Sequence, residues 1–387
     1  MLDHALEILE TLVAFDTTSS KSNRALIDWV AARLAQRNIP YWLVEDADGG
    51  KANLLARIGP DVPGGIVLSG HSDVVPVDGQ PWTSDPWTVT RREGRLYGRG
   101  VADMKGFIAL ALALIDTPAV QSLQRPLILA ITYDEEVGCL GAPHLLDQMT
   151  AFVPAPALAI IGEPTSMKIL SVHKGMRVFD VTVTGREAHS SQRDQGVSAI
   201  AAAVELMSLI GQMNAQAQDA IRADDPCSPP GTTLSVGIVN GGTAANILAR
   251  QCTFRWDLRS PSEAEADGYE ARFRAAAQAL DARIRERAPE GGVVITQLAS
   301  APPLELDRDS AAESFVRSLT GDNGLSGAAF VAEAGLYQKI GIPAVLCGPG
   351  SILQAHQPDE WIEIDQLRAG ADFLMRLADR LSNETKG

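Results

Sequence analysis

Six histidines stand among 48 acidic residues, few enough for each to be weighed for metal or acid–base chemistry. His71 closes the apolar run GIVLSG and is followed two residues later by Asp73. A metal-bound imidazole usually gives its second ring N–H to a carboxylate, which sets the tautomer and the ring plane. An H-x-D supplies both parts, although by itself it also fits a surface histidine near a turn. Asp103 lies in GRGVADMKG, where Gly98, Gly100 and Gly106 permit a tight turn. An aspartate there can offer one oxygen to each of two ions, or it can cap the helix expected from near Gly106. Glu135 and Glu136 follow LILAITYD as DEEVG. Neighbouring acids raise each other's pKa, a cost that a nearby divalent cation reverses. One of the two could hold metal while the other takes a proton; a solvated acidic turn is the plain alternative. Glu163 comes directly after ALAIIG, and His356 sits in GPGSILQAHQPDEW after AVLCG.

The joint pattern carries more than any member. His71, Asp103, Glu135, Glu136, Glu163 and His356 all fall where an apolar run or a glycine loop gives out. In an open α/β sheet, ligands gather outside the carboxyl ends of the parallel strands. Two imidazoles and three carboxylates, one of them bridging, form a mixed nitrogen and oxygen donor set. Such a set suits two zinc ions about 3.5–4 Å apart. Cys139, Cys227, Cys252 and Cys347 lack the spacing of a structural zinc site. His4 and His144 fall in expected helices with no acid at ligand spacing and read as structural.

These residues need a scaffold. Apolar residues at helical spacing predict helices around Leu6–Val13 and Leu26–Leu34. Strands are expected at Asn53–Ile58, Ile66–Ser69, Leu127–Thr132 and Ala157–Ile161, with helices at Phe107–Ile115 and Gly141–Met149 between them. Strands that read as continuous apolar runs and alternate with helices imply a mostly parallel sheet covered on both faces. From Val178 the pattern alternates, as a half-exposed antiparallel strand does. Long helices at Ala199–Met213 and Glu263–Arg287 then flank strands Leu234–Val239 and Thr253–Leu258. The expectation is an α/β catalytic domain of residues 1–174 and 288–387, with a small α+β domain inserted at 175–287. A strand at Val345–Cys347 and a helix at Asp365–Leu381 complete the first domain.

The 387 residues carry a net charge of −15 and are 45% hydrophobic, ordinary for a folded chain of about two domains. That acidity argues against nucleic acid and against an anionic membrane surface as partners. No apolar run approaches the ~20 residues of a membrane span. The N-terminus lacks a basic start followed by an apolar core, so no signal peptide is expected. Four scattered cysteines read as reduced thiols and point to the cytoplasm.

Taken together, SGHSDVVPVDGQPWTSDPW, GRGVADMKG, TYDEEVGCLG, GEPTS, HKG, GREAHSS, GGTAAN and EAGLYQKIGIPAVLCGPGSILQAHQPDEW resemble the zinc-dependent aminoacylase/carboxypeptidase family. The resemblance runs in order from about residue 3 to 380. It implies a di-zinc exopeptidase-like fold that hydrolyses the amide of an N-acyl amino acid, with two zinc ions per subunit that cobalt could replace. It assigns Asp103 as the bridging ligand, His71 and Glu163 to one ion, and Glu136 and His356 to the other. Asp73 would orient His71, and Glu135 would be the general base. The inserted domain would be a lid that also forms a homodimer, with His189 stabilising the oxyanion in the partner's site. Arg259 and Asn246 would hold the substrate carboxylate, though Arg259 could instead pair with a surface acid and Asn246 could be a turn residue. Val331–Ala332–Glu333 departs from the Gly-Thr-Glu of the most similar members, removing a hydroxyl near the substrate. A desuccinylase, an aminoacylase or a dipeptidase on the same scaffold stays open, as does a non-catalytic binding module.

Overall fold

In a computed structural model of the chain, residues 1–383 are described. They form two compact units, each with its own core. In chain order the first unit opens with helices α1 (Leu2–Val13) and α2 (Arg24–Ala35) and strands β1 (Tyr41–Glu45), β2 (Ala52–Ile58) and β3 (Ile66–His71). It continues with α3 (Lys105–Ile115), β4 (Leu127–Thr132), α4 (Ala142–Phe152) and β5 (Leu158–Ile161). The second unit holds β6 (Gly175–Thr184), α5 (Ala199–Asp219), β7 (Thr233–Gly241), β8 (Gln251–Ser260), α6 (Glu263–Arg287) and β9 (Gly292–Ala301). The chain then returns to the first unit for α7 (Ala311–Thr320), α8 (Ala334–Lys339), β10 (Ala344–Leu346) and α9 (Ile364–Asn383).

The first unit's sheet runs β1-β2-β4-β3-β5-β10. From β4 to β10 every neighbouring pair is parallel, and at the other edge β2 runs antiparallel to both of its neighbours, β1 and β4. β3 and β4 are buried along their whole lengths, as apolar strands covered on both faces must be. From Phe107 to Ile115 α3 is apolar on every side, and all eleven of its residues, Lys105 included, are buried, which makes it a core helix rather than a surface one. Parallel pairing is what places the site. His71 is level with Thr132, and Ile161 pairs with both Ser69 and Leu346. The carboxyl ends of β3, β4, β5 and β10 therefore open on one edge.

The second unit has an antiparallel sheet of order β7-β8-β6-β9. Burial alternates along β6 and β8, and the covered face packs on α5 and α6. Trp256 lies at its centre, 4.7 Å from the Phe179 ring and 4.5 Å from that of Phe273. This unit comprises His173–Glu305 and Ala328–Val331, so an insertion ending at 287 is too short. Gly292–Ala301 is a strand of the second sheet, paired along its length with β6. Most of its residues are exposed or half-buried, so the sequence offers little apolar patterning to show which sheet it joins. His4 also departs from expectation. Its Nδ1 is 3.1 Å from Glu7 and its Nε2 2.7 Å from Asp116, a partner brought in from the end of α3. No helix among the described residues is long and apolar enough to cross a membrane. All four cysteines are free and buried.

Candidate metal centre

Each expected ligand leaves a different element of the first unit. His71 is the last residue of β3. Glu163 follows β5 after Gly162, where a Cβ would lie 2.0 Å from the Phe107 ring, so only glycine lets the strand end pack on α3. Glu135 and Glu136 follow β4 in a turn that starts at Asp134, whose φ is +57°. Asp103 immediately precedes the Met104 cap of α3. No side chain caps that helix, so the capping reading of Asp103 does not hold. His356 lies in the loop after β10 with φ +62°.

Two groups of ligand atoms result, each with its members within 4.8 Å of one another: His71, Asp103 and Glu163, and Asp103, Glu136 and His356. Asp103 belongs to both. Its Oδ1 is 3.0 Å from His71 Nε2, and its Oδ2 is 3.3 Å from His356 Nε2. His356 Nε2 is also 2.9 Å from Glu136 Oε2, and Glu163 Oε1 is 4.0 Å from His71 Nε2.

The electrostatics test whether cations fit. Burial pushes the Glu163 carboxyl well above its ordinary range, with the Asp103 charge adding to it. Burial and Asp103 likewise bring Glu136 up to about 7, against the pull of His356. Burial also pushes Glu135 well up, with neighbouring carboxylates adding to it. Hydrogen bonds to Asp103 and Glu136 raise His356 to about 10. Glu163 Oε1 is buried with no hydrogen-bond partner among the described residues, and an unsatisfied buried carboxylate oxygen is costly. The cluster is therefore short of positive charge, and divalent cations supply it. Nitrogen and carboxylate donors without sulfur suit zinc and similar ions. The residues fit two cations that share Asp103.

Asp73 meets His71 through both its main chain and its carboxylate. His71 Nδ1 is 2.9 Å from the Asp73 carbonyl and 3.6 Å from its carboxylate. The carboxylate also accepts the backbone N–H groups of Glu135 at 3.1 Å and Glu136 at 3.3 Å, and the Ser19 hydroxyl at 2.7 Å. Asp73 thus fixes the turn that presents both glutamates, while its main chain fixes the imidazole. The Cys139 thiol, also buried, lies 3.5 Å from Glu135 Oε1, a contact that sequence spacing did not point out.

The remaining candidates lie on the second unit. His189 is exposed, with Nδ1 2.8 Å from the Ser191 hydroxyl, and it bridges Ile247. The backbone carbonyl of Asn246 accepts from Ser190 at 2.9 Å, so the two segments run side by side. Arg259, on β8, pairs with Asp257 at 2.9 Å, the surface acid that its sequence context allowed.

An α/β unit with candidate ligands for two cations at the carboxyl ends of its parallel strands, beside the buried Glu135, has the parts of a metal-dependent hydrolase. The model of Peptidase family M20/M25/M40 matches residues 67–380, and the chain belongs to that family. It is 32% identical over 378 residues to an acetylornithine deacetylase of Photorhabdus laumondii, covering 96% of this chain and 95% of the relative. With the acetylornithine deacetylase of Proteus mirabilis it shares 33% over 372 residues, 95% and 93% of the two chains. An M20 family metallo-carboxypeptidase from Sulfolobus solfataricus shares the fold, with a TM-score of 0.77 at 16% identity over 98% and 99% of the chains.

Proposed function

We propose that the protein is a metal-dependent deacetylase that hydrolyses N2-acetyl-L-ornithine to L-ornithine and acetate. The observation that carries this reading is the pair of ligand groups joined at Asp103, with the Glu135 carboxyl buried beside them. Two zinc ions per subunit are the proposed cofactors, cobalt being an alternative; bound there, they polarise a carbonyl and bring the pKa of water towards neutrality. His71 and Glu163 would hold one, Glu136 and His356 the other, and Asp103 both.

Glu135 would accept the proton of the attacking water and deliver it to the leaving amine. Its position supports that role. The backbone N–H of Glu135 is tied to Asp73, and its side chain meets only a weak thiol donor, which leaves a carboxylate oxygen for the substrate water. Burial and negative neighbours raise its proton affinity, as a general base near neutral pH requires. On the second unit, His189 is the proposed oxyanion donor, and Arg259 and Asn246 the proposed holders of the substrate carboxylate. An Arg259→Ala variant should then raise KM for an acyl-amino acid far more than for a neutral amide. A homodimer and a cytoplasmic location, where buried thiols stay reduced, complete the proposal.

The deciding experiment offers N-acetyl, N-succinyl and dipeptide substrates, N-acetylornithine among them, to the metal-reconstituted protein. A preference for N-acetylornithine upholds the reading. Preference for a succinyl or dipeptide substrate would move it to another amidohydrolase, a reading favoured by Val331 and Ala332 in place of Gly-Thr.

A further inference from the structure

The HQPDEW segment does more than carry His356. Glu360, four residues on, is 1% exposed and turns its carboxylate into the loop that bears Asp103. Oε2 accepts from Arg99 Nη1 at 2.8 Å and from the Gly100 N–H at 3.0 Å. Oε1 accepts from the Ala102 N–H at 2.9 Å and from the N–H of Asp103 itself at 3.2 Å. The Glu360 carbonyl takes the Gly98 N–H at 3.0 Å. One carboxylate thus organises the turn on which Asp103 sits.

A second arm closes the loop onto His356. Arg99, also 1% exposed, gives Nη2 to Gln80 Oε1 at 2.5 Å, and Trp82 Nε1 donates to the same oxygen at 3.0 Å. With its oxygen engaged, Gln80 directs Nε2 to the His356 carbonyl at 3.0 Å. That carbonyl belongs to a residue with φ +62°, a conformation a non-glycine residue keeps only when its surroundings hold it. The chain Gln80–Arg99–Glu360 therefore touches the main chain of both Asp103 and His356. His71 and Glu163 are held otherwise, by the ends of two sheet strands.

We propose that Gln80, Arg99 and Glu360 are positioning residues that set the spacing of Asp103 and His356, and so tune the affinity of the second cation over the first. The inference rests on the two-cation reading above. None of the three need touch substrate. Their action is on the loop-borne half of the site, because only that half draws two ligands from the segments they tie together.

The test titrates Zn2+ and Co2+ into the metal-free full chain by calorimetry and follows the visible cobalt spectrum, for the unsubstituted protein, Gln80→Ala and Glu360→Gln. Gln80 is half-exposed on a loop, so its removal leaves the fold intact, and the melting temperature of the metal-free variant checks this. Glu360→Gln turns an amide N–H2 towards donors and is the stronger perturbation. The expected result is a first equivalent weakened far less than the second, because His71 and Glu163 still hold it, and a second weakened about 10–100-fold, the usual scale for residues behind metal ligands. The cobalt bands of the second equivalent should shift, and kcat should recover as metal is raised. Should Glu360→Gln fail to fold, Gln80→Ala decides alone. Two equivalents of unaltered affinity in Gln80→Ala overturn the inference, as does an equal loss of both. An unsubstituted protein that binds fewer than two equivalents overturns the two-cation reading as well.

Discussion

The two halves of the candidate metal centre share an aspartate but are built differently. His71 and Glu163 are almost wholly buried and leave adjacent parallel strands of the central sheet. His356 is 50% exposed on a loop with left-handed backbone, and its partner Glu136 sits in a turn. One half inherits its geometry from strand pairing; the other depends on side chains that hold loops in place. The contrast teaches that a single site can combine a rigid, desolvated pole with an adjustable one open to water, where a substrate can enter.

Asp103→Ala breaks the comparison altogether, because both halves lose a ligand. Activity should fall by about 1,000-fold or more, the scale of several kcal/mol of metal-assisted stabilisation. Metal analysis of the purified variant should find neither ion retained. Glu135→Ala leaves both halves intact: kcat should drop at least ~100-fold, the lower range for a lost general base, with two metal equivalents still bound. A variant that keeps its rate would remove Glu135 from that role. Glu163→Ala and Glu136→Ala sharpen the contrast between the halves. Each should weaken one equivalent only, and chelator titration should strip the ion of the Glu136 half first from the unsubstituted protein.

The smallest effect concerns the frame. Gly162→Ala forces a methyl into the Phe107 ring and should cost about 1–3 kcal/mol, as overpacking does. Denaturant unfolding of the metal-free chain would measure it. The Glu163 half should lose metal affinity with it, while a variant whose binding is unchanged would show that the strand end tolerates displacement.

Much of this was legible in the sequence. The apolar runs at β3, β4 and β5 and the apolar stretch of α3 identified the parallel core, because strands and helix turns covered on every side must be apolar. The candidate ligands stood out because acids and imidazoles at the ends of such runs are unusual. β9 did not show, since a strand with most of its residues exposed or half-buried carries little apolar patterning, while α7 was passed over although its apolar residues recur at helical spacing. Asp73 was recognised beside His71, 3.6 Å from its Nδ1, but the sequence did not show that the same carboxylate also holds the Glu135–Glu136 turn. Gln80, Arg99 and Glu360 were quoted in motifs without a use, because hydrogen bonds across 261 and 276 residues leave no spacing to read.

By itself, then, the sequence determined which residue types were available for chemistry and which segments had to be buried, since both follow from local composition. Tertiary structure decided that Asp103 faces two imidazoles at once, that the Asp73 carboxylate serves the glutamate turn, and that β9 belongs to the second sheet. Those outcomes depend on pairings between segments distant in the chain, and such pairings are settled only when backbone hydrogen bonds and buried charges are satisfied together in three dimensions.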